Sequence, residues 1–198
     1  YFGEAWAWGP YMNGPMGRGA LPRAQAAIEK ALELAPDHAN RVERELIDAM
    51  AARYVGRTDR ASQLAIDTAY AEAMGRVYEA HPADLDVGFL YAESLMLLEP
   101  RRGNWDIERP EIQRIHGILE EVLARDIRHP GSCHLYIHAT ESTTQPNKAE
   151  ACADLLGEAI PGRVLDLFYM HAQGHVLVAV GLDAEDEGND TLNVRWID

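Results

Sequence analysis

The chain has 198 residues, of which 47% are hydrophobic and 25% charged, proportions that are ordinary for a soluble globular protein. Its net charge of −14 argues against a nucleic-acid backbone or an anionic membrane as the main partner. No stretch reaches the roughly 18 uninterrupted apolar residues of a membrane span. With only two cysteines, Cys133 and Cys152, a disulfide framework is excluded, and we interpret both as buried thiols.

In the first half of the chain, apolar residues recur at the i, i+3, i+4, i+7 spacing of amphipathic helices. Proline and glycine divide this pattern into segments; either Asp37 or Asn40 is suited to cap one of them, and Asp84 another. The helices predicted here cover the end of one helix at 1–8, then 24–35 with an end at Pro36, 42–54, 59–81 and 85–98.

The second half continues in the same way. Pro110 opens a helix that runs through Leu123, and His129-Pro-Gly leads into a helix that ends near Glu141. Two more helices are predicted over 148–159 and 164–180, before an acidic, weakly patterned tail. Because no sustained period-2 run is present, the sequence predicts an all-α chain. We expect one helical domain over 1–181 and an acidic C-terminal tail over 182–198.

The helices alternate with proline-ended turns at the spacing of helical-hairpin repeats. Four stretches carry a closer likeness: YFGEAWAWGP at 1–10, YAESLM at 91–96, HPGSCHLYIHATE at 129–141 and HAQGH at 171–175. Together they resemble a group of bacterial tetratricopeptide-repeat proteins that has no settled activity. The resemblance implies helical hairpins stacked into a right-handed superhelix (an α-solenoid), with further repeats before Tyr1. This chain departs from the group at 172–174, where Ala-Gln-Gly stands in place of Met-Pro-Ser.

Two histidine pairs suggest a metal site. His134, His138 and Glu141 fall on one helical face, and His171 and His175 share a face of the helix predicted over 164–180. Neutral imidazoles with a carboxylate are typical ligands of Zn(II) or Fe(II), and an open coordination position would allow hydrolysis. The alternative is structural, because a helical histidine often only hydrogen-bonds a backbone carbonyl.

Alignment of the small mid-helix residues in the presumed repeats places four polar residues at equivalent positions: Glu4, Glu93, His138 and His171. The first helices of such repeats line a concave groove. We therefore expect Glu4 and Glu93 to line this groove together with the aromatic residues Trp8, Tyr91 and Tyr136.

Two functions from different classes follow. The first is an interaction scaffold whose groove binds a protein, a peptide or a small ligand. The second is a metal-binding protein or metal-dependent hydrolase that uses the His/Glu cluster. Because the unstacked end of a repeat array exposes apolar surface, we expect missing residues or self-association to cover the end at Tyr1. The sequence is compatible with a cytoplasmic or an exported protein.

Overall fold

A computed structural model describes residues 1–10, 16–57, 62–100, 105–141, 143–159, 167–170, 176–180 and 193–197, with side chains through residue 156. The chain forms two compact units, Tyr1–Arg101 and Arg102–Asp198. Where the chain is described, the first unit contains five α-helices, and the second contains three α-helices followed by three strands. The sequence analysis treated 1–181 as one domain; its boundary at residue 181 stays a prediction.

The first unit is a succession of helices in which each one packs against the next in the chain. The short helix α1 also contacts α3. This is the neighbour-to-neighbour packing that helical hairpins use to bury apolar stripes that none of them can bury alone. The helices are α1 (Phe2–Ala7), α2 (Ala20–His38), α3 (Arg41–Tyr54), α4 (Gln63–Ala80) and α5 (Leu85–Met96).

Side-chain caps explain where three of these helices begin. Asn40 forms a reciprocal capping box on α3: its Oδ1 accepts from the Glu43 amide at 3.0 Å, and Glu43 Oε2 accepts from the Asn40 amide at 2.7 Å. Ser62 accepts from the Ala65 amide at the start of α4, and Asp84 accepts from the Val87 amide at the start of α5. Of the two predicted alternatives, Asp37 and Asn40, the structure uses Asn40, and the predicted cap at Asp84 is confirmed.

The predicted end of the second helix at Pro36 is wrong, because α2 continues to His38 with Pro36 inside it. Proline lacks one backbone donor, but its fixed φ is compatible with a helix, so residues that follow it can stay helical. The Ala39 amide closes this last turn by donating to the Ala35 carbonyl at 3.0 Å.

The second unit begins with α6 (Pro110–Arg125), α7 (Pro130–Glu141), a short 3-10 turn (Pro146–Ala149) and α8 (Glu150–Ala159). Helix α7 packs against both α6 and α8. Cys133 on α7 and Cys152 on α8 are free and buried, which confirms the interpretation made from the sequence. The buried side of α7 includes His138, whereas His134 on the same helix is half-buried.

The helix predicted over 164–180 is wrong at 167–170 and 176–180, the residues of this range that the structure describes. Strands β1 (Leu167–Met170), β2 (Val176–Val180) and β3 (Asn193–Ile197) form an antiparallel sheet in the order β1-β2-β3. In its register, Leu167 pairs with Ala179 and Val178 pairs with Arg195. The chain is therefore all-helical from Phe2 through Ala159 where it is described, and the all-α prediction holds for that part.

In the part of the chain that the structure describes, every helix falls short of the length and apolarity needed to span a bilayer.

Candidate functional site

A cluster of polar side chains lies buried inside the first unit, and we call it the Arg53 cluster. Its members are Arg53 and Tyr54 on α3, Asp67 and Tyr70 on α4, and Glu93 on α5. None is more than 4% exposed. Charged side chains are rarely buried this completely unless they are paired, so each needs a partner inside the protein.

The pairing inside the cluster starts with one ion pair. Arg53 Nη2 donates to Asp67 Oδ1 at 3.0 Å, and the side chains are 0% and 2% exposed. Gln63 Nε2 lies 3.1 Å from both oxygens of Asp67, so this carboxylate is well satisfied. The guanidinium also stacks over the Tyr70 ring, with its carbon 4.6 Å from the ring centroid.

Several other polar atoms of the cluster have no hydrogen-bond partner. They are Nε and Nη1 of Arg53, the hydroxyls of Tyr54 and Tyr70, and Oε2 of Glu93. The Tyr70 hydroxyl and the Glu93 carboxyl lie close enough to change each other's pKa, so Arg53 and Tyr54 carry the atoms with the least compensation. A buried polar atom without a partner costs about 1–3 kcal/mol, which an ordered water or a bound polar molecule would offset.

The environment changes the acid–base properties of the cluster. Burial is the main cause that raises the pKa of Glu93 to about 7, although the charge of Arg53 opposes this rise. Burial also raises the pKa of Tyr54 to about 12 and that of Tyr70 well above its usual value. Near neutral pH, Glu93 therefore exists in both protonation states while both tyrosines keep their protons.

The end of α1 closes one side of the cluster. A Cβ atom placed on Gly9 would lie 2.5 Å from the Tyr54 hydroxyl and 2.9 Å from Arg53 Nη1. The indole of Trp6, 37% exposed, reaches the Glu93 carboxyl. The α1 segment thus separates the buried cluster from solvent.

A separate apolar groove of about 350 Å³ lies between α1, α2 and α3. Its lining includes Phe2, Leu34 and Leu46, with Glu43 among its few polar groups. The Glu43 carboxylate is already engaged in the capping box with Asn40. This groove therefore offers mainly apolar contact, in contrast to the Arg53 cluster.

The predicted groove residues of the first unit fall in different environments. Glu93 belongs to the buried cluster, whereas Glu4 is exposed. Trp8 is half-buried, with the Arg23 guanidinium 4.6 Å above its ring. Tyr91 is only 6% exposed and packs against Tyr78 at a centroid distance of 5.1 Å. Glu93 is therefore the member of this set that the structure places in a site.

In the second unit, part of the predicted His/Glu constellation comes together on α7. His138 Nδ1 lies 2.8 Å from Glu141 Oε1, and the ring centroids of His134 and His138 are 4.8 Å apart. The carboxylate can thus fix the orientation of the His138 ring. Tyr136 is buried, and its hydroxyl donates to Glu120 at 2.6 Å.

The other two predicted ligands, His171 and His175, lie outside the described residues. Among the residues that are described, no three His, Cys, Asp or Glu side chains are grouped so that they could hold a metal ion. The polar row is divided between the two units, with Glu4 and Glu93 in one and His138 in the other. Its alignment stays a prediction.

Comparison with known proteins adds no relative: the chain matches no family model, no curated protein and no solved structure.

Sequence patterns do not point to four of the five cluster members, Arg53, Tyr54, Asp67 and Tyr70, as site residues. One available signal is Glu93, the single charged residue in the largely apolar stretch between Val87 and Met96. A charge in such a segment must be buried with a partner or lie at a site.

Proposed function

We propose that this protein is a tetratricopeptide-like helical-repeat binding protein whose first unit holds a small polar ligand at the Arg53 cluster. The packing of each helix on its successor supports the repeat architecture. One observation carries the binding site: five buried polar atoms of the cluster lack hydrogen-bond partners. A ligand that supplies these partners would be recognised with high specificity, because any molecule that lacks them leaves the polar groups buried and unpaired.

The site suits a small ligand more than an extended peptide. Its polar atoms are enclosed by three helices and by the α1 segment, and each contributing side chain is almost fully buried. A peptide lying along the surface could not reach these atoms without inserting a group between the helices. We therefore assign the cluster a free small molecule as its ligand.

The test is a thermal-shift screen of the intact protein against small organic acids, amides and sugars. We expect at least one class to raise the melting temperature, since a ligand that binds only the folded state stabilises it. The fluorescence of Trp6 should change over the same range of ligand concentration. The change should be absent in a Trp6→Phe variant, which shows that Trp6 is its source.

Tyr54→Phe is the diagnostic variant, because it removes a buried hydroxyl that has no partner. We expect it to leave the ligand-free stability unchanged or to raise it by up to about 1 kcal/mol. The ligand-dependent shift should be lost. Tyr78→Phe, outside the cluster, should retain the shift. A screen without any stabilising compound, combined with a crystal structure that shows only water in the cluster, would disprove the proposed function.

A second candidate function is metal binding, and the observation behind it is the proximity of the His134 and His138 rings on α7, a pair that needs a further ligand from outside the described residues. With Glu141 bonded to His138 Nδ1, the glutamate serves as an orienting group instead of a ligand. His134 and His138 would then supply two imidazoles for a Zn(II) or Fe(II) ion, completed by His171 or His175. A bound water on that ion could support hydrolysis.

Metal analysis of protein purified without a histidine tag tests this second function. After equilibration with Zn(II) and removal of excess, we expect about one metal ion per chain. The His134→Ala/His138→Ala variant should retain almost none, and Glu141→Gln should bind with about 10–100-fold lower affinity. Equal metal content in the wild-type protein and the double variant would exclude the site.

A further inference from the structure

The unpartnered atoms of the Arg53 cluster define which chemical group can complete it. Arg53 offers two N–H groups that can only donate, and the hydroxyls of Tyr54 and Tyr70 can donate as well. Glu93 offers one oxygen, which accepts when the carboxyl is ionised and donates when that oxygen carries the proton. The complementary ligand therefore accepts several hydrogen bonds and exchanges one with Glu93.

The net charge of the cluster further limits which ligands it can bind. Arg53 is neutralised by Asp67 at 3.0 Å, so the cluster is neutral when Glu93 is protonated and carries one negative charge when it is ionised. A dianion such as phosphate would meet a site with no net positive charge to stabilise it. A cation would face the unpartnered donors of Arg53. The buried site therefore suits a ligand that carries one negative charge or no charge.

We infer that the ligand is a small monocarboxylic acid whose carboxylate accepts hydrogen bonds from Arg53 and Tyr54 and shares one proton with Glu93. This inference rests on the proposed function. No covalent bond changes: the acid arrives as its anion, and the proton stays between the two carboxyl groups. Two carboxyl groups at hydrogen-bond distance hold one proton between them, because like charges so close cannot both ionise.

The groups that face Glu93 are consistent with a proton shared between Glu93 and the bound acid. From α3 these are Arg53 and Tyr54, from α4 Asp67 and Tyr70, and from α1 the indole of Trp6. Among these groups only Arg53 favours the ionised carboxylate through its charge, while Asp67 opposes it. The bound acid would add a second opposing charge, so Glu93 would hold its proton more firmly in the complex than in the free protein.

The chain at Gly9 packs directly on the cluster, since a Cβ atom there would lie 2.5 Å from the Tyr54 hydroxyl, so only the smallest acids suit the site. The indole of Trp6 hydrogen-bonds the Glu93 carboxyl and lies beside the site. Acetate and propionate are therefore appropriate probes, and the matching amides are their uncharged counterparts.

Isothermal titration with propionate and propionamide, at about pH 6 and about pH 8.5, tests the inference. Free Glu93 has a pKa of about 7. Binding of propionate above that pH requires uptake of a proton, so its affinity should fall about tenfold per pH unit and about 30-fold over the interval. Propionamide brings no charge and needs no added proton, so its affinity should not fall with pH.

Two variants distinguish proton sharing with Glu93 from a general loss of propionate binding. Glu93→Gln keeps an N–H donor at the position without a titrating proton, so the pH dependence of propionate binding should shrink to less than about threefold. Glu4→Gln, at an exposed position, should behave as wild type.

Propionate affinity that is constant or rises with pH would overturn the inference, as would tight binding of propionamide without binding of propionate. In that second case the proposed function would stand, with a different ligand class. If neither probe binds while another compound from the thermal-shift screen does, the carboxylic-acid assignment alone is wrong. If no compound binds at all, both proposals fail.

Discussion

Asp67→Ala will lower the free energy of unfolding by about 3–5 kcal/mol, the largest effect that we expect from a single polar substitution in this protein. Asp67 is 1% exposed and is the ion-pair partner of Arg53, which is 0% exposed. Without the carboxylate, the guanidinium keeps its charge in a buried site and gains no water in exchange. Urea denaturation followed by circular dichroism measures the loss.

Removing both Arg53 and Asp67 should lower the free energy of unfolding far less than removing Asp67 alone. Replacing both partners, as in Arg53→Met/Asp67→Leu, eliminates the buried charges along with their attraction, so this double variant should be more stable than Asp67→Ala. Glu33→Ala is the matched control, because it breaks a 2.7 Å ion pair with Lys30 that is largely exposed. Its cost should stay within about 1 kcal/mol.

If Asp67→Ala costs no more than Glu33→Ala, the charge of Arg53 is satisfied elsewhere. Glu93 is the group positioned to do so, since it is buried in the same cluster and titrates near neutral pH. Repeating the denaturation at about pH 5, where Glu93 is protonated, would then expose the missing stabilisation.

The helical part of the fold followed from local sequence patterns. Caps at Asn40 and Asp84, and Pro110 at the start of α6, are signals that act within one turn, so they can be read without tertiary information. The exception at Pro36 is also local: a proline near a helix end removes one donor, and the helix can still extend for two residues beyond it.

The sheet near the C-terminus could not be predicted by the same reasoning. Leu167–Met170 and Val176–Val180 are short apolar runs, for which helical and strand periodicity are difficult to distinguish. The valine-rich composition of the second run favours a strand, because β-branched side chains pack well on a pleated surface. Strands pair with residues that are far apart in sequence. A local pattern therefore does not show which segments will pair.

The candidate site was predictable only in part. The spacing of His134, His138 and Glu141 correctly placed three polar groups on one face of α7. In contrast, Arg53 lies in a helix with many charged residues, where one more arginine suggests a solvent-exposed position. Its burial depends on α4 and α5 packing over it, which brings Asp67 and Glu93 from different helices to the same place.

Glu93 will make the stability of the protein fall as the pH rises, and Glu93→Gln will remove this dependence. Burial raises the pKa of Glu93 from 4.5 to about 7 in the folded state. Below pH 4.5 both the folded and unfolded states bind the proton, so the residue adds no pH dependence. Between the two values the folded state alone retains it, and stability falls by about 1.4 kcal/mol per pH unit.

Above about pH 7 the folded protein contains an ionised, buried Glu93, and the accumulated loss is about 3 kcal/mol. Other groups also titrate over this range, so the informative quantity is the stability of Glu93→Gln minus that of wild type. This difference should rise by about 3 kcal/mol from about pH 4.5 to about pH 8. For the exposed Glu4→Gln control it should stay flat. A flat difference for Glu93→Gln as well would mean that water or α1 opening solvates the carboxylate, and the cluster would then not be the dry site on which ligand recognition depends.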